Sequence, residues 1–150
     1  MKKLFVLILA VAGLSAAFVG KKEYDAAQKM KIEMQGGGIR FESMSYDAAI
    51  KKAKETGKLV FIDSYTDWCG PCKKMAATAF MDENVAKVFN SKFINIKMEM
   101  EKNPDGPTVA KMYAVKVYPT ILFVNGDGKL VKAVQGYQTP EQLLAVGKSL

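Results

Sequence analysis

Short apolar runs separated by polar, turn-rich segments form the pattern of this chain from residue 39 onward. The run at 59–63 is mostly apolar and rich in β-branched and aromatic residues, which is typical of a strand buried on both faces. Residues 39–42 alternate in polarity and predict a short edge strand. Two later runs flank Asn125-Gly126-Asp127-Gly128 and predict a hairpin. The predicted strands are 39–42, 59–63, 93–98, 121–124 and 130–134.

Helix signals stand between these strands. Ser45 can cap a helix at 46–55, and Gly57 can end it. Residues 73–80 contain Ala, Met and Lys without an internal Gly or Pro, which suits a helix that breaks near Phe80. The other predicted helices are 83–90 behind an Asp82 cap, 108–113, and one that begins at the capping box Thr139-Pro140-Glu141-Gln142. The element order is therefore β-α-β-α-β-α-β-β-α.

The first 17 residues have the features of a secretory signal peptide. Two lysines precede the apolar run 4–14, and the small residues Ser15-Ala16-Ala17 predict cleavage after Ala17. The alternative is an uncleaved membrane anchor, although the uncharged run 4–19 is a little short for a span. Residues 18–38 are polar and lysine-rich and predict a flexible leader. We therefore expect a periplasmic or secreted protein.

The composition narrows the function classes. A chain of 150 residues with 49% hydrophobic and 25% charged residues is typical of one globular domain with a short additional segment. The formal charge is +7, but the lysines are scattered and form no stripe with stacking aromatics. A solvated lysine-rich surface is therefore favoured over nucleic-acid binding.

Cysteine, histidine and methionine usage bears on metal sites. The chain has two cysteines and no histidine, so a four-ligand zinc site would need unusual carboxylate partners. A disulfide between residues three apart closes almost no loop, which argues against a purely structural bridge. The nine methionines hint at copper, but flexible core filling explains them better. We therefore expect no metal.

The candidate chemistry lies in Trp68-Cys69-Gly70-Pro71-Cys72. Cys69 follows a strand and begins a helix, where free N–H groups and the helix dipole lower the pKa of a thiol. Cys69 is therefore the predicted nucleophile, and Cys72, one helical turn later, the resolving and less exposed thiol. Gly70 and Pro71 shape the turn between them. Trp68 either packs in the structure or forms a hydrophobic lid beside the disulfide.

Asp63 departs from the apolar pattern of its strand. A buried carboxylate is costly unless it is paired or protonated. Burial would raise its pKa and suit it to accept the proton of Cys72, directly or through a water. The alternative is that the strand end bends and exposes the side chain.

The pentapeptide resembles the active site of the thioredoxin superfamily, and the resemblance covers roughly residues 43–150. Asp63 lies six residues before Cys69, as the buried acid does in that family. Further matches are Lys97, Tyr118-Pro119-Thr120, Asn125-Gly126-Asp127-Gly128 and Gly136. Within the superfamily, Asp67-Trp68-Cys69, Phe80-Met81-Asp82 and Val85 look most like secreted thioredoxin-like proteins related to the C-terminal domain of the bacterial transmembrane thiol:disulfide interchange protein.

This resemblance implies an α/β thioredoxin fold at 39–150, with a mixed central sheet and helices on both faces. It implies that Lys97 faces Asp63 and moderates its charge, the alternative being a solvated lysine at a strand edge. It also implies a cis peptide bond before Pro119, and a Tyr118 backbone that pairs with substrate as a short added strand.

The implied function is a secreted thiol–disulfide oxidoreductase that reduces protein disulfides. Its partners would be protein disulfides and a membrane-embedded thiol donor, and it needs no organic cofactor because the cysteines carry the electrons. Gly70-Pro71 is the dipeptide of reducing thioredoxins, whereas Tyr118 before Pro119 also occurs in disulfide isomerases. An oxidase or isomerase is therefore the alternative enzyme, and a non-catalytic binding module is the alternative outside enzymes.

Overall fold

The computed structural model describes residues 37–150. The predicted signal peptide lies outside the described residues, as does nearly all of the predicted leader, so both stay predictions. None of the helices within 37–150 has the length and apolar character needed to cross a membrane.

In the described part of the chain, four strands form one mixed sheet in the order β2-β1-β3-β4. Strands β1 and β2 are parallel, whereas β1–β3 and β3–β4 are antiparallel. Each extends the predicted run by one or two residues at most. Their bounds are β1 Leu59–Tyr65, β2 Phe93–Glu99, β3 Thr120–Val124 and β4 Leu130–Gln135.

Within residues 37–150, five α-helices and one 3-10 helix accompany the sheet, and the predicted caps are present. The side chain of Ser45 accepts from the N–H of Ala48, and Asp82 accepts from two N–H groups of its helix. Thr139 and Gln142 form the predicted capping box. The helices are α1 Tyr46–Thr56, α2 Gly70–Ala77, the 3-10 helix Ala79–Met81, α3 Glu83–Lys92, α4 Gly106–Met112 and α5 Pro140–Ser149.

The predicted edge strand at 39–42 is wrong. Two of its N–H groups bond to partners outside the sheet, so no regular pairing with β2 forms. Ile39 donates to the carbonyl of Phe80 in the 3-10 helix, and Arg40 donates to the side chain of Asn90. Only Glu42 donates to β2, at the carbonyl of Asn95. We call residues 38–42 the N-terminal strap, because this segment lies along β2 without forming a strand.

Both faces of the sheet are covered, as the predicted fold class requires. On one face, Ile62 and its neighbours pack with α1 and α4. On the other, Phe61 packs against Phe89 of α3, with ring centroids 4.8 Å apart, and the same cluster includes residues of α2 and α5. Because β1 is buried on both faces, the position of its C-terminal end, where the cysteine motif follows, is fixed by the core.

Candidate active site

Cys69 and Cys72 form a disulfide at the first turn of α2. Cys69 is the N-cap of the helix, and the backbone N–H of Cys72 donates to its sulfur at 3.1 Å. This places the Cys69 sulfur at the N-terminal end of the helix, where backbone N–H groups can donate to it. Gly70 and Pro71 are the exposed first residues of the helix.

The predicted lower exposure of Cys72 concerns the pair of thiols and stays a prediction, because the structure contains the disulfide. Cys69 is 3% exposed and Cys72 is 5% exposed, so both residues are buried. The bridge explains this similarity, because it ties the N-cap residue to the third residue of the helix and turns both side chains into the same small volume.

Asp63 is buried within β1, with 1% of its surface exposed. Its Oδ2 lies 3.0 Å from Nζ of Lys97, whose side chain is 32% exposed. Burial raises the pKa of Asp63, and this effect outweighs the opposing charge and hydrogen bond of Lys97. Oδ1 of Asp63 has no hydrogen-bond partner among the described residues. The alternative that the strand end bends and exposes Asp63 is therefore wrong. The alternative that Lys97 is a solvated lysine at a strand edge is also wrong, because its ammonium pairs with Asp63.

A pocket of about 120 Å³ opens between Cys72 and Lys97. Its lining also includes the side of the active-site helix and the end of β1, and the buried hydroxyl of Thr66 has no partner within residues 37–150. Its lining therefore includes both Cys72 and Lys97, the ion-pair partner of Asp63.

Trp68 is exposed, with 66% of its surface accessible. Its indole N–H donates to Oε2 of Glu101 at 3.1 Å. Its ring meets the ring of Tyr118 edge to face, with centroids 5.9 Å apart. Trp68, which precedes Cys69 in the chain, and Tyr118, from the loop before β3, therefore form one aromatic surface.

The Tyr118–Pro119 peptide bond is cis. Pro119 is buried, and its carbonyl accepts from the N–H of Gly136 at 2.8 Å. The hydroxyl of Thr120 donates to the carbonyl of Val117 at 2.7 Å. Tyr118 lies in the loop before β3, and these two bonds attach that loop to the start of β3 and to the end of β4.

Glu99, at the end of β2, is a site residue that the sequence interpretation missed. It is 8% exposed, and its carboxylate accepts from the backbone N–H groups of Asp67, Glu101 and Lys102. Asp67 also forms an ion pair with the side chain of Lys102. Glu99 therefore fastens the segment before Cys69 to the turn after β2.

A sequence signal for Glu99 was present. Polar residues alternate with apolar ones along β2, which places Asn95, Lys97 and Glu99 on one face of the sheet. The register pairs Lys97 with Asp63, so the face that carries the buried acid also carries Glu99. In the part of the chain that the structure describes, no group of three or more potential metal ligands occurs.

Sequence comparison shows relatives among thioredoxins. Residues 46–150 match the family model described as a thioredoxin-like domain. The chain is 32% identical to thioredoxin of Alicyclobacillus acidocaldarius over 99 residues, which cover 66% of this chain and 88% of that protein. It is 37% identical to chloroplastic thioredoxin F of rice over 90 residues, covering 59% of this chain but only 44% of that protein.

Two further matches concern other disulfide proteins. The thiol:disulfide interchange protein DsbD of Colwellia psychrerythraea is 35% identical over 80 residues, which cover 53% of this chain and 13% of DsbD. The solution structure of a candidate disulphide isomerase from Bacteroides thetaiotaomicron is 43% identical and superimposes with a TM-score of 0.65. That match covers 74% of this chain and 92% of the other.

Proposed function

The chain belongs to the thioredoxin-like domain family, whose model matches residues 46–150, and on this premise we propose that it is a secreted thiol–disulfide oxidoreductase that reduces protein disulfides. The observation that carries this proposal is the Cys69–Cys72 bridge at the start of α2, with the Cys72 N–H directed at the Cys69 sulfur.

The proposed reaction begins with the dithiol form. The Cys69 thiolate attacks one sulfur of a substrate disulfide, that S–S bond breaks, and one substrate sulfur leaves as a thiolate. Cys72 then gives its proton to Asp63, directly or through a water, and attacks the Cys69 sulfur. The mixed disulfide breaks, the second substrate thiolate leaves, and two electrons have passed to the substrate. The product is the Cys69–Cys72 bridge.

Substrate binding is proposed for the surface of Trp68 and Tyr118 beside the cysteines. An extended substrate segment would pair with the backbone of Tyr118 as a short added strand, next to the cis bond before Pro119. Binding of this kind reads main chain more than side chains. We therefore expect broad selectivity among protein disulfides.

The direction of electron flow rests on the residues between the cysteines. Gly70-Pro71 favours the reductase, whereas the relative named as a candidate disulphide isomerase favours isomerisation as a second function. A glutathione titration separates them: a reduction potential near about −270 mV supports the reductase, and one between about −180 and −120 mV supports an isomerase or oxidase.

Secretion and the thiol donor complete the proposal. The N-terminal sequence supports export with cleavage after Ala17, and a pair of cysteines outside the cytosol needs an electron source. Similarity to part of the thiol:disulfide interchange protein DsbD supports exchange with a redox partner, for which we propose a membrane-embedded thiol donor. Mass spectrometry of protein recovered from the periplasm should find Phe18 at the amino terminus; a retained Met1 in the membrane fraction would indicate an anchor.

Insulin reduction tests the activity. We expect wild-type protein to reduce insulin with dithiothreitol as donor, Cys69→Ser to be inactive, and Cys72→Ser to accumulate mixed disulfides. Undiminished reduction by Cys69→Ser would overturn the proposal. A Cys69 thiol pKa near about 8.5 and negligible exchange with a small disulfide would support the non-catalytic binding module instead.

A further inference from the structure

Three aromatic rings surround the ammonium of Lys97. Its Nζ lies 5.0 Å from the ring centroid of Tyr65, 5.2 Å from that of Phe41 and 5.3 Å from that of Phe80. All three distances lie within the range at which a cation is attracted to the face of a ring. Together with Oδ2 of Asp63 at 3.0 Å, these rings form what we call the Lys97 cage.

Phe41 comes from a part of the chain that the family match leaves out. It lies in the N-terminal strap, whereas the matched region begins at residue 46. Phe41 packs against Phe80 with ring centroids 5.3 Å apart, and against Phe61 at 5.9 Å. The strap therefore contributes one wall of the cage, and that wall contacts the hydrophobic core.

Hydrogen bonds on both sides of Phe41 hold its backbone in place. Asn90 donates to the carbonyl of Gly38 and accepts from the N–H of Arg40. Beyond the ring, Glu42 donates to the carbonyl of Asn95, and Asn95 donates to the carbonyl of Arg40. Gly38 is required here, because a Cβ at this position would lie 2.8 Å from the carbonyl oxygen of Phe80.

The ring of Phe41 helps to keep the Lys97 ammonium beside Asp63. Its ammonium is carried on a flexible four-carbon stem, and a side chain that is 32% exposed has solvent within reach. Without the ring of Phe41, hydration would compete with Asp63 for the ammonium. A leucine at this position would keep most of the apolar volume but would lack the negative face of the ring.

We propose that Phe41 is a positioning residue that holds the Lys97 ammonium against Asp63 and thereby controls when this carboxylate can take up the Cys72 proton. The claim that Phe41 controls proton transfer from Cys72, which we call the functional half, rests on the proposed thiol–disulfide exchange. The claim that Phe41 positions the Lys97 ammonium, the structural half, concerns only the contact between the strap and the ion pair, so it is tested separately.

Several charged or titratable groups surround this ion pair, and the variants compared in the titration of Asp63 leave all of them in place. Lys97 faces Asp63 from β2, and Tyr65 follows on the same face of β1. Asp63, Asp67 and Glu99 are close enough to raise the pKa of Tyr65, after the larger effect of its burial. The pocket lining brings two more residues from α2, the ammonium of Lys73 and Cys72, which carries a titratable thiol only after the bridge is reduced.

The first experiment is an NMR titration of the Asp63 carboxyl carbon in the oxidised protein. In Phe41→Leu we expect the pKa of Asp63 to rise by about half a pH unit, because the carboxylate loses part of the attraction of Lys97. Phe41→Tyr keeps an aromatic ring beside Lys97, so the pKa of Asp63 in this variant should equal that in the wild-type protein. Ile39→Val is the matched control, since Ile39 belongs to the strap and the core but has no place in the cage.

The outcomes of this titration are distinct. An unchanged or lower pKa of Asp63 in Phe41→Leu would overturn the proposal, as would an equal rise in Ile39→Val. If Phe41→Leu does not fold, Phe41→Met supplies a second ring-free side chain of adaptable shape, and the same rise is expected.

The second experiment follows the two chemical steps. The rate at which Cys72 resolves the mixed disulfide falls at low pH, where Asp63 is protonated. In Phe41→Leu this acidic limb should move to higher pH by the same half unit, to within about 0.2 units. The rate at which Cys69 attacks a disulfide, measured in a Cys72→Ser background, should stay within about twofold of the rate with Phe41 intact. An unshifted limb would overturn the functional half. If wild-type protein fails to reduce insulin, the proposed function fails, and the NMR titration still decides whether Phe41 positions Lys97.

Discussion

Lys97 and Asp63 are direct partners in the parallel pairing of β2 and β1, and their side chains meet with Nζ 3.0 Å from Oδ2. Because the register of two buried strands sets this contact, the acid and its counter-ion are fixed by the sheet rather than by a loop. The pairing does not fully compensate the burial of Asp63, and the pKa of the carboxyl is raised. A raised pKa makes this carboxylate a better proton acceptor than an ordinary exposed aspartate.

We expect Asp63→Asn to stabilise the protein increasingly as the pH rises. The raised pKa means that the folded protein binds a proton that the unfolded chain releases above the ordinary pKa of 3.8. The stabilising contribution of Asp63 is therefore fully present below 3.8 and is lost as the pH rises through the folded pKa. Urea denaturation of both proteins between about pH 4 and about pH 9 measures the difference. A difference that is constant or narrows with pH would contradict the raised pKa.

We expect Asp63→Asn to slow the second chemical step and to spare the first. The amide that replaces the carboxylate cannot accept the Cys72 proton, so the mixed disulfide should accumulate and kcat should fall about a hundredfold at neutral pH. Rapid quenching with acid followed by mass spectrometry measures the mixed disulfide. Asp47→Asn, an exposed carboxylate change on α1, is the control and should keep wild-type kinetics. Equal slowing of the first attack would place Asp63 in a different role.

The sequence predicted most elements because local signals and tertiary packing agree in them. Ser45, Asp82 and Thr139 cap helices where their side chains bond backbone N–H groups, and each cap is readable from residue type and spacing alone. The central strand was recognisable for a similar reason, since a run buried on both faces must be apolar throughout. The one charged residue in that run marked the site.

The failures share a different cause, which is that tertiary contacts decided them. Residues 39–42 alternate like a strand, but Ile39 and Arg40 find partners on the 3-10 helix and on Asn90, which no local pattern encodes. The alternation along β2 places Glu99 on the same face as Asn95 and Lys97, but it does not show which groups Glu99 binds. Its importance comes from three N–H donors that the fold brings to it, two of them from the turn that follows.

We expect Glu99→Ala to destabilise the protein by about 2–3 kcal/mol, because it leaves three backbone N–H groups without their buried acceptor. Urea denaturation measures the loss, and the emission of Trp68, the only tryptophan, reports the segment before Cys69. Glu101→Gln is the control, because it keeps an acceptor for the indole at an exposed position, and it should change stability by less than about 0.5 kcal/mol. Equal stability of the two variants would show that Glu99 does not fasten this segment.

We expect Trp68→Ala to weaken the use of protein substrates without unfolding the site. Trp68 is 66% exposed, so its loss should cost less than about 1 kcal/mol of stability, whereas KM for insulin should rise about tenfold. The rate with a small disulfide should stay unchanged, because such a molecule reaches Cys69 without covering the surface of Trp68 and Tyr118. Val131→Ala, an exposed apolar change on β4, is the control and should leave both substrates unaffected. If Trp68→Ala impaired both substrates equally, Trp68 would act on the cysteines themselves, and the substrate surface would have to lie elsewhere.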